Sequence, residues 1–272
     1  MIRTLFALVA AVPLWAASPD LDEVACTWCH FEEADDFTQS VHYLQGHMLC
    51  SDCHGGLPFE EDPELAKAPE TGFIGKPSRE NLIEVCAECH AGPAGFFAQG
   101  PHHEWRNEAN PTCVDCHGNH QVLAADLALM DETCSSCHDE WSAAFDRGRE
   151  IRIDLEVGVE HLQRIAQVVD SLEALDRSLR KARPFIDDAR EVLRTADAAT
   201  HALDLGMIGE MLIEARGGLA RAEEVVEEYY AEQSRRPRIL FAIWFFVLVQ
   251  VGVLWWKRRD LQSGNEADKS LR

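Results

Sequence analysis

Two apolar runs bracket the chain, and the polar stretch between them changes its periodicity near residue 140. At the start, Leu5 to Ala17 is apolar behind Arg3, and Ala16-Ala17-Ser18 supplies small residues for cleavage. Residues 1–18 therefore read as a secretory signal peptide. Near the other end, Ile239 to Trp256 is apolar except at Gln250 and Gly252, with Trp244, Trp255 and Trp256 as interface anchors. This pattern predicts one transmembrane helix over residues 239–256. Arg235, Arg236 and Arg238 precede it and Lys257-Arg258-Arg259 follow it, so basic residues alone do not set the orientation. An exported N-terminus does: residues 19 to about 235 are expected outside the cytoplasm and the short tail 257–272 inside.

Downstream of residue 140 the apolar positions step by three and four. One long helix is expected from about Asp139 to Ala182, with Ile165, Val168, Leu172, Leu175 and Leu179 on one face. Pro184 suits the first turn of a second helix to about Leu203, with Phe185, Ala189, Val192 and Ala196 on one side. Leu205-Gly206 suggests a break, and a third helix from about Met207 through Ala231 continues into the apolar run. Residues 141–238 thus read as a helical hairpin or stalk, with oligomerisation through a coiled-coil seam as the sharper alternative. Upstream, short segments dominate, and the prolines and glycines of Gly55 to Ser78 mark a loop. The expected fold class is mainly α, with short helices and little regular structure in residues 19–140.

Composition narrows the classes. Of 272 residues, 46% are hydrophobic, which excludes a wholly disordered chain. The formal charge of -22, from 47 acidic and 25 basic side chains, excludes a basic nucleic-acid binder. Between residues 18 and 150 the imbalance is 26 acidic to 6 basic. Part of it is a solvated surface, and the field also favours a basic docking face on a partner.

All ten cysteines fall in five C-x-x-C-H units: Cys26, Cys29 and His30; Cys50, Cys53 and His54; Cys86, Cys89 and His90; Cys113, Cys116 and His117; Cys134, Cys137 and His138. Disulfides or zinc would account for paired cysteines. Neither accounts for a histidine directly after the second cysteine in all five units. Covalent haem c does: two thiols at this spacing reach the two vinyl groups on one porphyrin edge, and the next histidine becomes the proximal iron ligand. Five covalently attached haem c groups are expected.

On these five units the exported part, about residues 20 to 165, resembles the multihaem c-type cytochromes. The resemblance implies that distal ligands come from further histidines, often for a haem other than the nearest in sequence. It assigns that role to His42, to one of His102 and His103, and to His120. His47, three residues before Cys50, is a further candidate. His161, four residues before Ile165, shares the inward stripe of the first long helix and is also a candidate. His201 lies off the main stripe of its helix, which favours a surface or capping role. Met48 and Met130 are alternative ligands, but the histidines suffice for bis-histidine ligation and low potentials. Membrane-anchored quinol-oxidising multihaem cytochromes usually carry the anchor at the N-terminus, and this chain departs from that pattern.

Five haems on residues 20–140 leave about 24 residues for each, too few to bury a porphyrin in its own pocket. The rings must cover one another, and closely packed haems pass electrons between neighbours. The expected function is therefore a relay in the periplasm, held at the cytoplasmic membrane in contact with its lipid. It would join a membrane electron donor, such as a quinol-oxidising complex, to a periplasmic redox protein or reductase. Two other classes compete. A reductase of nitrite, hydroxylamine or a sulfur oxyanion needs an open-coordinate haem with acid/base groups beside it. A haem-based redox sensor needs an output domain, for which the tail has no room.

Overall fold

The computed structural model describes residues 20–103 and 110–270; the expected signal peptide lies outside the described residues. Among these the chain is helical, without a strand. Short helices come first: α1 (Phe31–Thr38), α2 (Val41–Leu44), α3 (Cys50–His54), α4 (Pro63–Ala66), α5 (Arg79–Ala87), α6 (Ala91–Phe97), α7 (Cys113–His117) and α8 (Leu129–Ser135). Three long ones follow: α9 (Ala143–Glu173), α10 (Arg183–Ala199) and α11 (Leu205–Ser270). The described residues up to Asp154, with Ala196–Ile208, form one compact unit; Leu155–Thr195 and the described residues from Gly209 onward form another.

The short helices are cut by their own punctuation. Ser40, Asp62 and Ser78 accept the first free backbone N–H groups of α2, α4 and α5. In α3 and α7 an aspartate at the third helical position folds back. Asp52 Oδ2 accepts from the Leu49 N–H at 2.6 Å, and Asp115 Oδ2 accepts from the N–H and hydroxyl of Thr112 at 2.6 and 2.8 Å. Gly55 and Gly118 end these helices at φ 68° and 78°, a region open to glycine. Buried apolar side chains in this unit are few, among them Leu21, Val24, Ala66 and Ile151. Trp28, Phe31, Leu44 and Phe59 are exposed.

The second unit has an ordinary apolar core. Leu155, Leu162, Ile165 and Val169 of α9, Ile186, Ala189 and Leu193 of α10, and Leu212, Ala215, Leu219 and Ala222 of α11 are buried. Gly158 lets α9 approach closely, since a Cβ there would lie 3.0 Å from Leu193 and 3.3 Å from Leu212. The buried face of α9 therefore runs through Leu162, Ile165 and Val169, not through Val168, Leu172 and Leu175. The helix stops at Glu173, and Leu175 is exposed. Arg177–Ala182 is a 3-10 segment capped by Asp176, and Glu173 accepts from both Arg180 and Arg183 at 2.9 Å.

The second turn is set by Leu203 at φ 50° and by Asp204, whose Oδ1 accepts from the N–H groups of Gly206 and Met207. From there α11 runs without interruption past Pro237, exposing Leu240, Phe241 and the apolar residues through Trp256. Its apolar stretch, with a mean hydropathy of 2.3 in its richest window, is long enough to cross a membrane.

Candidate haem-binding site

Each unit C-x-x-C-H folds as one helical turn, which places the two thiols and the histidine on one side of a short segment. In the second and fourth motifs that turn is the whole of α3 and α7, so His54 and His117 close a helix. In the first and third motifs the histidine opens the next helix: His30 and His90 stand at the N-termini of α1 and α6.

Four motif histidines each face a second imidazole. Ring centroids lie 6.0 Å apart for His42 and His90, 6.2 Å for His54 and His120, 6.2 Å for His102 and His138, and 6.0 Å for His117 and His201. Two imidazoles bonded to opposite sides of one metal ion at about 2 Å have centroids roughly 6 Å apart. The donor set thus fits a bis-histidine iron at each of these four positions.

Backbone carbonyls orient two of these rings. His54 Nδ1 donates to the carbonyl of Gly75 at 2.8 Å, and His201 Nδ1 donates to that of Ala198 at 3.0 Å. A ring whose Nδ1 carries the proton keeps the Nε2 lone pair for a metal. Burial first, and the facing ring second, lower the basicity of His42, His102 and His117. Both effects favour the neutral imidazole, the form that ligates iron.

Successive motifs also bring their thiols within electrostatic reach of one another. Cys86 donates a hydrogen bond to Cys113, which raises Cys86 far above the usual thiol range and draws Cys113 down to about 7. Burial, then the nearby Cys134, pushes Cys116 up to about 11. Burial raises Cys50, with Cys26 next in effect, and burial raises Cys53, with Cys86 next. The motifs thereby form an unbroken series from the first to the fifth.

The remaining candidates are placed differently. His103 meets Phe97 edge-on at 6.3 Å, so His102 is the member of that pair which faces a motif histidine, His138. His47 sits beyond α2 with a left-handed backbone, φ 52°. His161, expected to turn toward a haem, instead holds Glu223 of α11 through Nε2 at 2.9 Å. The stripe it occupies points into helix packing. His201, read as a surface or capping residue, faces His117. Its segment joins the motif-bearing unit where Ala202 is buried and Gly100 approaches the His201 carbonyl so closely that a Cβ would lie 2.7 Å from it.

A pattern in the sequence anticipates part of this pairing. His42 follows His30 by the same twelve-residue step as His102 follows His90, and Cys-x-Asp-Cys-His-Gly recurs at Cys50 and Cys113. Motifs three and four repeat motifs one and two. In each copy the histidine after an odd-numbered motif faces the next odd-numbered motif: His42 faces His90 and His102 faces His138.

Comparison with known proteins finds similarity to cytochromes over part of the chain. Residues 35–118 match the family described as cytochrome c7 and related cytochrome c. Over 128 residues, or 45% of this chain, the sequence is 28% identical to "Multiheme cytochrome MtrA" of Shewanella baltica (strain OS185). That match covers 34% of the relative, about a third of its length. No solved structure matches the chain. Over part of its length the chain is thus similar to cytochrome c7 and to a multihaem cytochrome.

Proposed function

We propose that the chain is a pentahaem electron relay, attached to the cytoplasmic membrane by the apolar part of α11, with its haem-bearing unit in the periplasm. The observation that carries this reading is the four imidazole pairs at 6.0 to 6.2 Å, each uniting the histidine of one motif with a histidine remote in sequence. Cys26, Cys29, Cys50, Cys53, Cys86, Cys89, Cys113, Cys116, Cys134 and Cys137 would hold five haems by thioether bonds. His30, His54, His90, His117 and His138 would be the proximal ligands. His42, His102, His120 and His201 would be distal to four of them.

When bound, haem supplies reversible one-electron chemistry. This chain's residues attach it, fix its two faces and bring its neighbours close. The electrostatic proximity of Cys26 to Cys50, Cys53 to Cys86, Cys86 to Cys113 and Cys116 to Cys134 supports short hops along the whole series. Four six-coordinate irons would suit electron transfer and leave no position for a substrate at those four sites, which favours a relay over a reductase. The surplus of acidic over basic side chains between residues 18 and 150 supports docking against a basic face of a periplasmic redox partner. The apolar helix supports a donor within the membrane.

The test is a pyridine haemochrome count on full-length protein matured in cells competent for cytochrome c assembly, combined with spin-resonance spectra of the ferric form. Five haems per chain, at least four of them low-spin, are the expected result. Fewer than four per chain, or isolated centres between which no electron passes in flash-reduction kinetics, overturns the relay.

A further inference from the structure

The first motif breaks the pairing rule. Among the described residues His30 faces no second imidazole; its Nε2 lies 3.5 Å from Lys67 Nζ, while its Nδ1 points toward Glu33 at 3.8 Å. By the rule of odd-numbered motifs, the ring opposite His30 would come from a histidine upstream, and residues 1–29 contain none. We propose that Lys67 is the distal ligand of the first haem iron, giving one histidine/lysine centre beside four bis-histidine centres. This assignment rests on the haem-bearing reading above.

Two nitrogen donors on opposite sides of one metal, each bonded at about 2 Å, stand roughly 4 Å apart, close to the separation of His30 and Lys67. Lysine is a capable ligand once its nitrogen is neutral. On binding, Nζ releases one proton to solvent and gives its lone pair to iron, with no change of oxidation state. Lys67 is one of only two lysines between residues 18 and 150, the other being Lys76. In so acidic a unit, its position at the single proximal histidine without an imidazole partner is a specific feature.

The scaffold around Lys67 holds it in place. Asp62 and Pro63 start α4, and the Lys67 N–H closes it on the Pro63 carbonyl at 3.2 Å. The Ala66 carbonyl accepts from the Leu57 N–H at 3.0 Å and from the Thr71 hydroxyl at 3.3 Å. The strand of loop containing Pro58 is in turn tied to the first motif: its carbonyl accepts from the Ala25 N–H at 2.8 Å. Gly56, at φ 85°, permits this approach, since a Cβ there would lie 2.7 Å from the Ala66 carbonyl oxygen. The ring of Phe73 lies 5.9 Å from Nζ and gives the side chain an apolar flank. The loop from Gly55 to Ser78 thus has a role: Gly75 orients His54 at one end and Lys67 is presented to His30 in the middle.

The experiment uses full-length holoprotein and the variants Lys67→Ala, Lys67→Met, His47→Ala and His42→Ala. The haemochrome count separates the two readings: a count of five licenses the ligand test, a count of four with the first motif empty overturns the Lys67 assignment alone, and a count below four overturns the relay model itself. Ferric spin-resonance then reads the ligand. Wild-type protein is expected to be fully low-spin. Lys67→Ala is expected to turn one haem in five high-spin, and Lys67→Met to add the near-infrared charge-transfer band of methionine ligation. His42→Ala, acting at the third motif, calibrates the size of a one-haem change. The proposal is overturned if Lys67→Ala and Lys67→Met match wild type, if the high-spin signal arises in His47→Ala instead, or if wild type already holds one high-spin haem.

Discussion

His201 stacks on His117, with ring centroids 6.0 Å apart and planes inclined by 23°, although α9 and α10 intervene between them in the chain. Under the proposed ligation the 3-10 turn Thr200–Ala202 supplies an iron ligand, and the His201 Nδ1 bond to Ala198 fixes which nitrogen faces His117. His201→Ala is expected to turn one haem high-spin while the haem count and helix content stay at wild-type values. Spin-resonance and far-ultraviolet circular dichroism on the same sample check this.

His161 gives the opposite expectation. Its bond to Glu223 ties α9 to α11 within the helical unit. His161→Ala should leave the haem spectrum unchanged. It should lower the thermal midpoint by about 2–4 °C, the shift expected for about 1 kcal/mol lost from a partly buried hydrogen bond in a chain of this size.

Two glycines with similar backbones separate conformational strain from collision. Gly72, at φ 74°, has open space where a Cβ would stand, whereas a Cβ on Gly55, at φ 68°, would lie 2.0 Å from the Gly72 carbonyl oxygen. Gly72→Ala should cost about 1 kcal/mol through φ alone. Gly55→Ala should cost more, about 2–4 kcal/mol, because backbone must move as well. Chemical denaturation measures both, and a larger loss for Gly72→Ala contradicts the argument.

Acid should loosen the turn between α9 and α10. Hydrogen bonds from Arg183 and then Arg180 hold the Glu173 carboxyl below its ordinary value. A carboxylate depressed in the folded state contributes stability above its unfolded pKa, and the contribution disappears as pH falls through the folded value. Glu173→Gln should therefore lower the thermal midpoint at neutral pH by about 1–3 °C, the range of an exposed ion pair. The difference from wild type should shrink steadily once the pH drops below the ordinary carboxylate range.

The parts of this molecule that local chemistry dictates were legible in the chain. Three-and-four periodicity marks α9 to α11, and the apolar run at Leu240 to Trp256 stands out. The helix breaks at Glu173 and Leu203 were less legible, since they depend on Asp176 and Asp204 capping the segments that follow. Pairing across the imidazoles was the least legible. His161 lies on an apolar stripe, as expected, but a stripe does not reveal whether its neighbour is a porphyrin or Glu223. His201 and Lys67 acquire partners only through tertiary approach, in one case at Gly100 and in the other at Pro58.

The four imidazole pairs overlap along the polypeptide: His42 to His90, His54 to His120, His102 to His138 and His117 to His201. Each interval opens before the one ahead of it has closed. No scissile point between His42 and His201 would spare every couple, so any cut in this region separates two facing imidazoles. A nascent chain must emerge as far as the turn after α10 before its last couple can meet.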